Sequence, residues 1–530
     1  MLLNVLCAVT LTGSLSLQLL KAQTQSAPSG TPTFLVSTRL VFLDVTVLDR
    51  KGHPVVQGLT KDDFTITENK KQQRIFSFEA PESHVELNPA DDNPSGKAPL
   101  TVLVLDLLNS KFEDFAYIRY QVRKYLAAQP ADLSSPAEIM VLGNRSLEMV
   151  QGFTRSKADL LYALDHVPAV LPYKLSGSFW PERFVQSIDA LQQIALQNKG
   201  VTGRKNIVWV GHGGPGLFTA ALTGSIVDKL NLYVHDTTNM LVDSRMSLFV
   251  IYPGLRVEGL SFRTSAMSAE VVIGDDDPFS GDINFGVFVN ETGGNLFYNR
   301  NDIANEIQRS QVLGSEYYTL THQLEEGRAD GKFRRVRMTL RDPSLRALTK
   351  AGYFAPDEGT QAHPRNKKMI DLAEAVQSTI PFPALSLRIE GLVRHPDTGR
   401  VEFTVVLTSG NIDWEPADNG TSTVDLTLAA ASLTERRDIL ASKAETVTAS
   451  AASQDARRLA EVMTRMPMRL RVSSKARTVR VVVQSAENGR IGAVELDRKT
   501  LDAAPQAPTP EPKLLSRPPE VETPTASPRR

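Results

Sequence analysis

The sequence predicts an α/β protein whose central domain is doubly wound around a largely parallel sheet, with a β-rich, sandwich-like module on either side. Three observations lead there. Short apolar runs at 99–105, 205–210 and 247–252 alternate with stretches of helical spacing, as in βαβ units. Before residue 80 and after residue 385 the pattern changes to short alternating segments separated by turn residues. Polar stretches rich in Pro, Asn and Asp divide these regions.

The first apolar segment is different in kind. Residues 2–20 are largely apolar, and Lys21-Ala22-Gln23 is followed by a polar stretch. This reads as a secretory signal peptide over 1–22, with cleavage after Ala22 and a solvated linker over 23–33. The only cysteine, Cys7, falls inside it. The mature chain then has no disulfide, thiolate metal site or cysteine nucleophile, and its stability rests on buried cores. No later apolar run is long enough for a bilayer span, so no membrane span is expected in the mature chain. A formal net charge of −1 offers no electrostatic footprint for nucleic acid.

An N-terminal β module is expected over 34–81. Residues 40–48 are β-branched and partly alternating; residues 64–68 and 74–78 alternate cleanly, with turns at 49–52 and 69–71. Residues 82–98 form a linker. The α/β domain then covers 99–356. Its first strand, PLTVLVLD, is apolar until it delivers Asp106 at its C-terminal end, and Asn109 and Ser110 follow within one short loop. Helices are predicted at 115–128, 156–166 and 184–197, and further strands at 138–142, 205–210, 247–252 and 296–298. Residues 317–324 and 333–340 are expected to pair as a long hairpin with its turn near Asp330-Gly331. A linker with a short helix at 369–378 occupies 357–380. A second β-rich domain covers 381–500, with strands at 385–389, 401–407, 423–428, 468–472, 479–484 and 491–496 and a helical insert at 454–465. The tail, 501–530, carries eight prolines from Pro505 onward and is expected to be disordered.

Several local matches occur in order along residues 34–356. VFLDVTVLDRKGHPVVQGLTKDDFTITENKKQQRIFSFE, LVLDLLNSKFEDFAYIRYQVRKYL, GRKNIVWVGHGGPG, ETGGNLFYNRNDIANEI, YYTLTH, DGKFRRVRM and AGYFAP resemble successive segments of the VWFA-related proteins of acidobacteria. The central domain thereby resembles the von Willebrand factor type A family. With the expected signal peptide, that resemblance implies an exported, non-enzymatic binding protein of adhesion or scaffold type, the alternative being a purely structural envelope scaffold with no ligand at this domain. It would bind a protein or other ligand of the cell envelope, in the periplasm or outside the cell.

The same resemblance implies a site for a divalent cation such as Mg²⁺ or Mn²⁺, built from an Asp-x-Ser-x-Ser loop, a Thr on a second loop and an Asp on a third. Asp106 and Ser110 match the ends of the first loop, with Asn109 beside them; Leu108 replaces the middle Ser. Gly211-His212-Gly213 stands where Thr-Asp-Gly would be, so the second carboxylate is a histidine. Ser178 lies near the expected Thr, but nothing in the sequence marks it. A hard cation needs several oxygen ligands. The expectation is therefore a degenerate site at Asp106, Asn109 and Ser110 with weak Mg²⁺ or Mn²⁺ binding and no cofactor required. Asp106 and Asn109 are expected to hydrogen-bond their own loop and cap the next helix. The ligand crevice would be bounded by Asp106, Ser110, His212 and Gly213.

Two rival chemistries are weaker. The HGGPG segment resembles an oxyanion-hole loop of α/β-hydrolases, but residues 259–263 lack the final glycine of a nucleophile elbow. The acidic group Asp275, Asp276, Asp277 and Asp282 does not have EF-hand spacing.

Overall fold

The computed structural model describes residues 40–84, 99–168, 179–217, 222–253, 278–279, 283–300, 302–323, 330–355, 364–408, 411–417, 420–455, 458–459 and 461–507. The expected signal peptide with Cys7, the 23–33 linker, Ser178, residues 259–263, the acidic group 275–277 with Asp282, and the tail beyond 507 lie outside them. Among the described residues no helix is long and apolar enough to cross a membrane.

Four strands precede the central domain: β1 (Leu40–Leu48), β2 (Phe64–Glu68), β3 (Lys71–Gln73) and β4 (Ile75–Glu79). The central domain runs β5 (Leu100–Asp106), α1 (Phe112–Ala128), β6 (Asp132–Leu142), β7 (Leu147–Ser156), α2 (Lys157–Asp165), α3 (Trp180–Gln197), β8 (Lys205–Val210), α4 (Gly224–Asp243), β9 (Met246–Pro253), α5 (Phe285–Glu291), β10 (Asn295–Arg300) and α6 (Ile303–Ser315). Its six strands lie in the order β10-β9-β8-β5-β6-β7. Every neighbouring pair is parallel except β6 and β7, which are antiparallel. Counted within the domain, this is the 3-2-1-4-5-6 order of doubly wound sheets, with one reversed edge strand.

Each central strand is buried on both faces and splits its residues between two cores. On β5, Val102 and Val104 face one core, while Leu103 and Leu105 face the other. On β8, Ile207 and Trp209 divide from Val208 and Val210 in the same way. The first core takes apolar residues of α3, α4 and α5; the second takes those of α1, α2 and α6. A period of two along the strand and helices on both sides explain why these runs are continuously apolar. Helix starts follow local chemistry: Ser156 Oγ accepts from Asp159 N at 3.2 Å to open α2, and Asn284 does the same for α5 through Val287 N at 3.2 Å.

The β-rich region at the N-terminus departs from the expected boundaries. Strands β11 (Tyr318–Gln323), β12 (Phe333–Leu340), β13 (Arg346–Leu348) and β14 (Gly352–Phe354) follow the central domain. β11 and β12 do not pair with each other. β11 lies between β1 and β4 in a sheet ordered β13-β1-β11-β4, and β12 lies between β14 and β2 in a sheet ordered β14-β12-β2-β3. Leu43 is registered with Leu320, and Met338 with Ile66. Both sheets contribute to one core through Leu43, Val45, Phe64, Ile66, Tyr318, Leu320 and Val336. The two-sheet module is thus assembled from both sides of the α/β domain, which is inserted between β4 and β11. A module confined to 34–81, and a hairpin belonging to 99–356, are both corrected: the Asp330-Gly331 turn signal is local, whereas β1 and β2 had edges to fill and captured one strand each.

A polar cluster joins this module to the inserted domain. Arg245, on the turn into β9, forks onto Asp44 with contacts of 2.5 and 3.1 Å, and Thr319 Oγ1 donates to the same carboxylate at 2.8 Å. These partners hold the Asp44 carboxyl below its ordinary pKa despite burial, which alone would raise it.

Helix α7 (Pro364–Gln377) leads to a third region: β15 (Leu387–His395), β16 (Arg400–Thr408), β17 (Glu415–Pro416), β18 (Ser422–Leu433), β19 (Ile439–Ala451), β20 (Met463–Arg471), β21 (Thr478–Ser485), β22 (Ile491–Asp497) and the short α8 (Arg498–Ala503). One sheet is β15-β16-β20; the other is β17-β18-β21-β22, with β19 paired to β18. The expected helical insert at 454–465 is displaced at its end, because Met463 already begins β20. β18 serves two cores at once. Leu426, Leu428 and Ala430 face the core of its own region, while Ala429, Ala431 and Leu433 pack with Leu372, Ala375 and Val376 of α7 against the α/β domain.

Candidate functional site

In open α/β sheets, ligands bind beyond the strand C-termini where adjacent strands send their helices to opposite faces. Here that point lies between β5 and β8, which are parallel neighbours. β5 leads into α1, on one face, and β8 leads toward α4, on the other. Asp106 ends β5, and Gly211-His212-Gly213 follows β8. The structure therefore brings together Asp106, Asn109, Ser110, His212 and Gly213, as expected.

Their contacts differ from those of a cation site. Asp106 is fully buried. Its Oδ1 accepts from Asn109 N at 2.9 Å and from Asn109 Nδ2 at 3.1 Å. Its Oδ2 accepts from Asn109 Nδ2 at 3.1 Å, Trp209 Nε1 at 3.0 Å and Gly213 N at 2.9 Å. Burial raises the Asp106 pKa above the ordinary carboxylate value, and the N–H donors from Trp209 and Asn109 oppose that rise. Each of these contacts is a donor to oxygen, so the ionised form fits the geometry.

The network extends one step further. Asn109 Oδ1 accepts from Arg183 Nε at 3.0 Å, and Asn109 Nδ2 also donates to Ser187 Oγ at 3.0 Å. Ser187 Oγ donates in turn to Arg183 O at 2.8 Å, within α3. Burial lowers the Arg183 pKa, and the nearby Asp106 charge works against that. A guanidinium carried by α3 thus supplies the positive charge near Asp106, relayed through one amide.

This arrangement does not fit a hard divalent cation. Asp106 is the one carboxylate among the expected ligands, and a metal could reach its oxygens only by displacing the Asn109, Trp209 and Gly213 N–H groups. Among the described residues no group of three or more His, Cys, Asp or Glu is placed to hold a metal. Of the residues expected to hold Mg²⁺ or Mn²⁺ weakly, Asp106 and Asn109 spend their polar atoms on each other and on Trp209, Gly213, Arg183 and Ser187. Ser110 Oγ is buried without a hydrogen-bond partner. The loop bonding expected of Asp106 and Asn109 is present, but helix capping is not: the residue before α1 is Lys111, with no side-chain cap.

The loop after β8 is shaped by close approach. Gly211 has φ +148°, and a Cβ there would lie 2.4 Å from Asp106 Cβ and 3.2 Å from Ser110 Oγ. Gly213 has φ +69° and faces the Phe285 ring. Gly211→Ala is expected to push Asp106 off its donors and lower the melting temperature by several degrees, read by thermal denaturation, whereas Gly224→Ala, with open space around it, should not. The Gly213 N–H that an oxyanion hole would use is already given to Asp106. His212, with 28% of its side chain exposed, places Nε2 3.5 Å from the buried Asp114 Oδ2.

Three functional partners escaped sequence reasoning: Trp209, Arg183 and Ser187. Trp209 carried a signal, since a tryptophan in a fully buried strand must place its indole N–H on an acceptor. Arg183 and Ser187 sit in a helix whose spacing shows only its apolar stripe, and nothing local tells that they turn toward β5.

No protein-family model matches the sequence, and no curated protein matches it. Solved structures with a similar arrangement include the human COPII-coat protein Sec24c, at 8% identity and a TM-score of 0.24, covering 53% of this chain and 45% of that one. They also include the VWA domain of SpRpn10, at 14% identity and a TM-score of 0.17, covering 30% of this chain and 90% of that one. The chain thus spans less than half of the Sec24c chain. Likenesses at this level carry no weight, and the doubly wound assignment rests on the strand order itself.

Proposed function

We propose that this is an exported, VWFA-like binding protein whose central domain recognises a protein or other envelope ligand without a divalent cation and without catalysis. The observation that carries the reading is the saturation of Asp106. At the point of the sheet where a ligand or metal would be met, the one carboxylate is neutralised by internal N–H donors and by Arg183 beyond them. Around it, His212 is partly exposed beside the buried Asp114, and we take this loop as the face offered for contact rather than for bond making. The flanking β-rich regions act as its sandwich-like supports, and the segment 1–22 directs export.

The test is a melting curve of the purified protein in chelator and in millimolar Mg²⁺ or Mn²⁺. The expected result is one melting temperature throughout, because a ligand that binds only the folded state must raise it. A rise with either metal, lost in Asp106→Asn, would overturn the cation-independent reading.

A further inference from the structure

The third region has one long unpaired edge, with β20 of the other sheet lying near it. β19 is a strand of 13 residues, paired along one side with β18 from Ser422↔Ala451 to Leu433↔Ile439. Among the described residues no strand is paired to its other side. Edges of this length are ordinarily shielded by proline, a bulge or a covering segment. β20 carries Pro467; β19 has no proline, and its register irregularity lies only at its first residues.

The sequence of that edge is complementary to itself. We propose that β19 is a dimerisation strand, pairing antiparallel with β19 of a second copy about a two-fold axis at Ala444. In that register Lys443 faces Glu445 of the copy, and the reverse holds across the axis. The two charges stand on one face of the strand, 3.0 Å apart within a chain, with side chains 45% and 33% exposed. Beyond them on the same face, Ala441 meets Val447 and Ile439 meets Ala449. On the other face, Ser442 meets Thr446 and Leu440 meets Thr448. Apolar residues therefore largely meet apolar ones, hydroxyls meet hydroxyls, and each charge meets its opposite, which are the favourable cross-strand pairs of antiparallel sheets. A two-fold axis makes each contact occur twice, as closed homodimers require. Ile439 and Leu440, exposed as large apolar side chains, would be covered at the two ends of the joined strands. The charges exclude shifted registers, because a slip of two residues removes both ion pairs.

Analytical ultracentrifugation of the full chain tests this, with circular dichroism to confirm folding. The wild type is expected to sediment as a dimer of the 58.2 kDa chain, less any cleaved signal segment, with dissociation on dilution. Lys443→Glu places two acidic residues against two, and Glu445→Lys places two basic residues against two; each variant alone should be monomeric. Mixing the two variants should restore a dimer, since the acidic pair of the first then faces the basic pair of the second at both contacts. The double variant Lys443→Glu/Glu445→Lys should also dimerise with itself. A wild-type monomer at every concentration, dimers that survive either single change, or a mixture that stays monomeric would overturn the proposal. A monomeric wild type that dimerises only after removal of residues beyond 507 would show the tail to be the occupant, and would overturn it as well.

Discussion

Asp106→Ala is expected to destabilise the protein by about 3–5 kcal/mol, the size seen when one side of a buried charge network is removed. The reason lies in what remains. Trp209 Nε1, Gly213 N and the Asn109 amide lose their acceptor inside the core, and each unsatisfied buried donor costs about 1–3 kcal/mol. Arg183 also loses the negative charge that opposes its desolvation. Asp106→Asn should cost less, because one oxygen still accepts, although its amide nitrogen must face donors. Urea unfolding checks both, with tryptophan fluorescence as the readout because Trp209 reports on the site directly. A metal ligand would behave differently: its loss would cost little in chelator and more with Mg²⁺ present. Equal losses in both conditions are expected here.

The second large effect concerns pH. Where α7 packs on the α/β domain, Glu374 meets Asp236, Asp371 and Asp189, with Lys199 as the neighbouring cation. Burial first, then these like charges, push the Glu374 pKa up to about 8, and burial raises Asp189 to about 6 against a hydrogen bond from Tyr233. Lys199 is ion-paired with Asp371. Tyr233 is held well above its ordinary pKa by burial and by Asp189, so it remains a donor throughout the range considered. A carboxyl whose folded pKa exceeds its unfolded value holds a proton that the unfolded chain releases. Its contribution is fully present below the unfolded value of about 4.5 and is lost as pH rises through about 8. Stability should therefore fall between these limits. Glu374→Gln, which cannot ionise, should match the wild type near pH 4.5 and exceed it at about pH 8.5 by on the order of 1–3 kcal/mol. Chemical denaturation at the two pH values measures this; a variant less stable than wild type at the higher pH would show that the charged carboxylate is the form α7 needs.

The strands most legible in the sequence were those buried on both faces. β8 falls on the expected residues, and β5 and β9 differ only at their ends, since continuous apolar runs leave little choice of structure. β7 was not legible: LEMVQGFTRS is a sheet-edge strand, mostly half-buried, with no clean period. α4, α5 and α6 were likewise passed over, α4 because its hydroxyls Thr237 and Thr238 interrupt the apolar stripe while bonding back to Tyr233 O and Val234 O. Strand partnership was the larger gap. Local turn chemistry joined β11 to β12, but their partners on β1, β2 and β4 lie far upstream, across the whole α/β domain and beyond what any window can see. At the site, Asp106 and the glycine loop could be placed from their strands. The identity of what neutralises Asp106 could not, because a tryptophan one strand away and an arginine on a helix reach it only after folding.

The insertion of the α/β domain between β4 and β11 has a mechanical consequence. Tension applied to the chain at Leu40 and at Phe354 enters through β1 and leaves through β14, both strands of the two-sheet module. The covalent path of that load crosses hydrogen-bonded sheet partners of the module before it reaches the central domain. The domain carrying Asp106 hangs from the module as a side loop, shielded from stretch until β1 separates from both β11 and β13. Forces that the outer strands resist would therefore leave the Asp106 network unstrained.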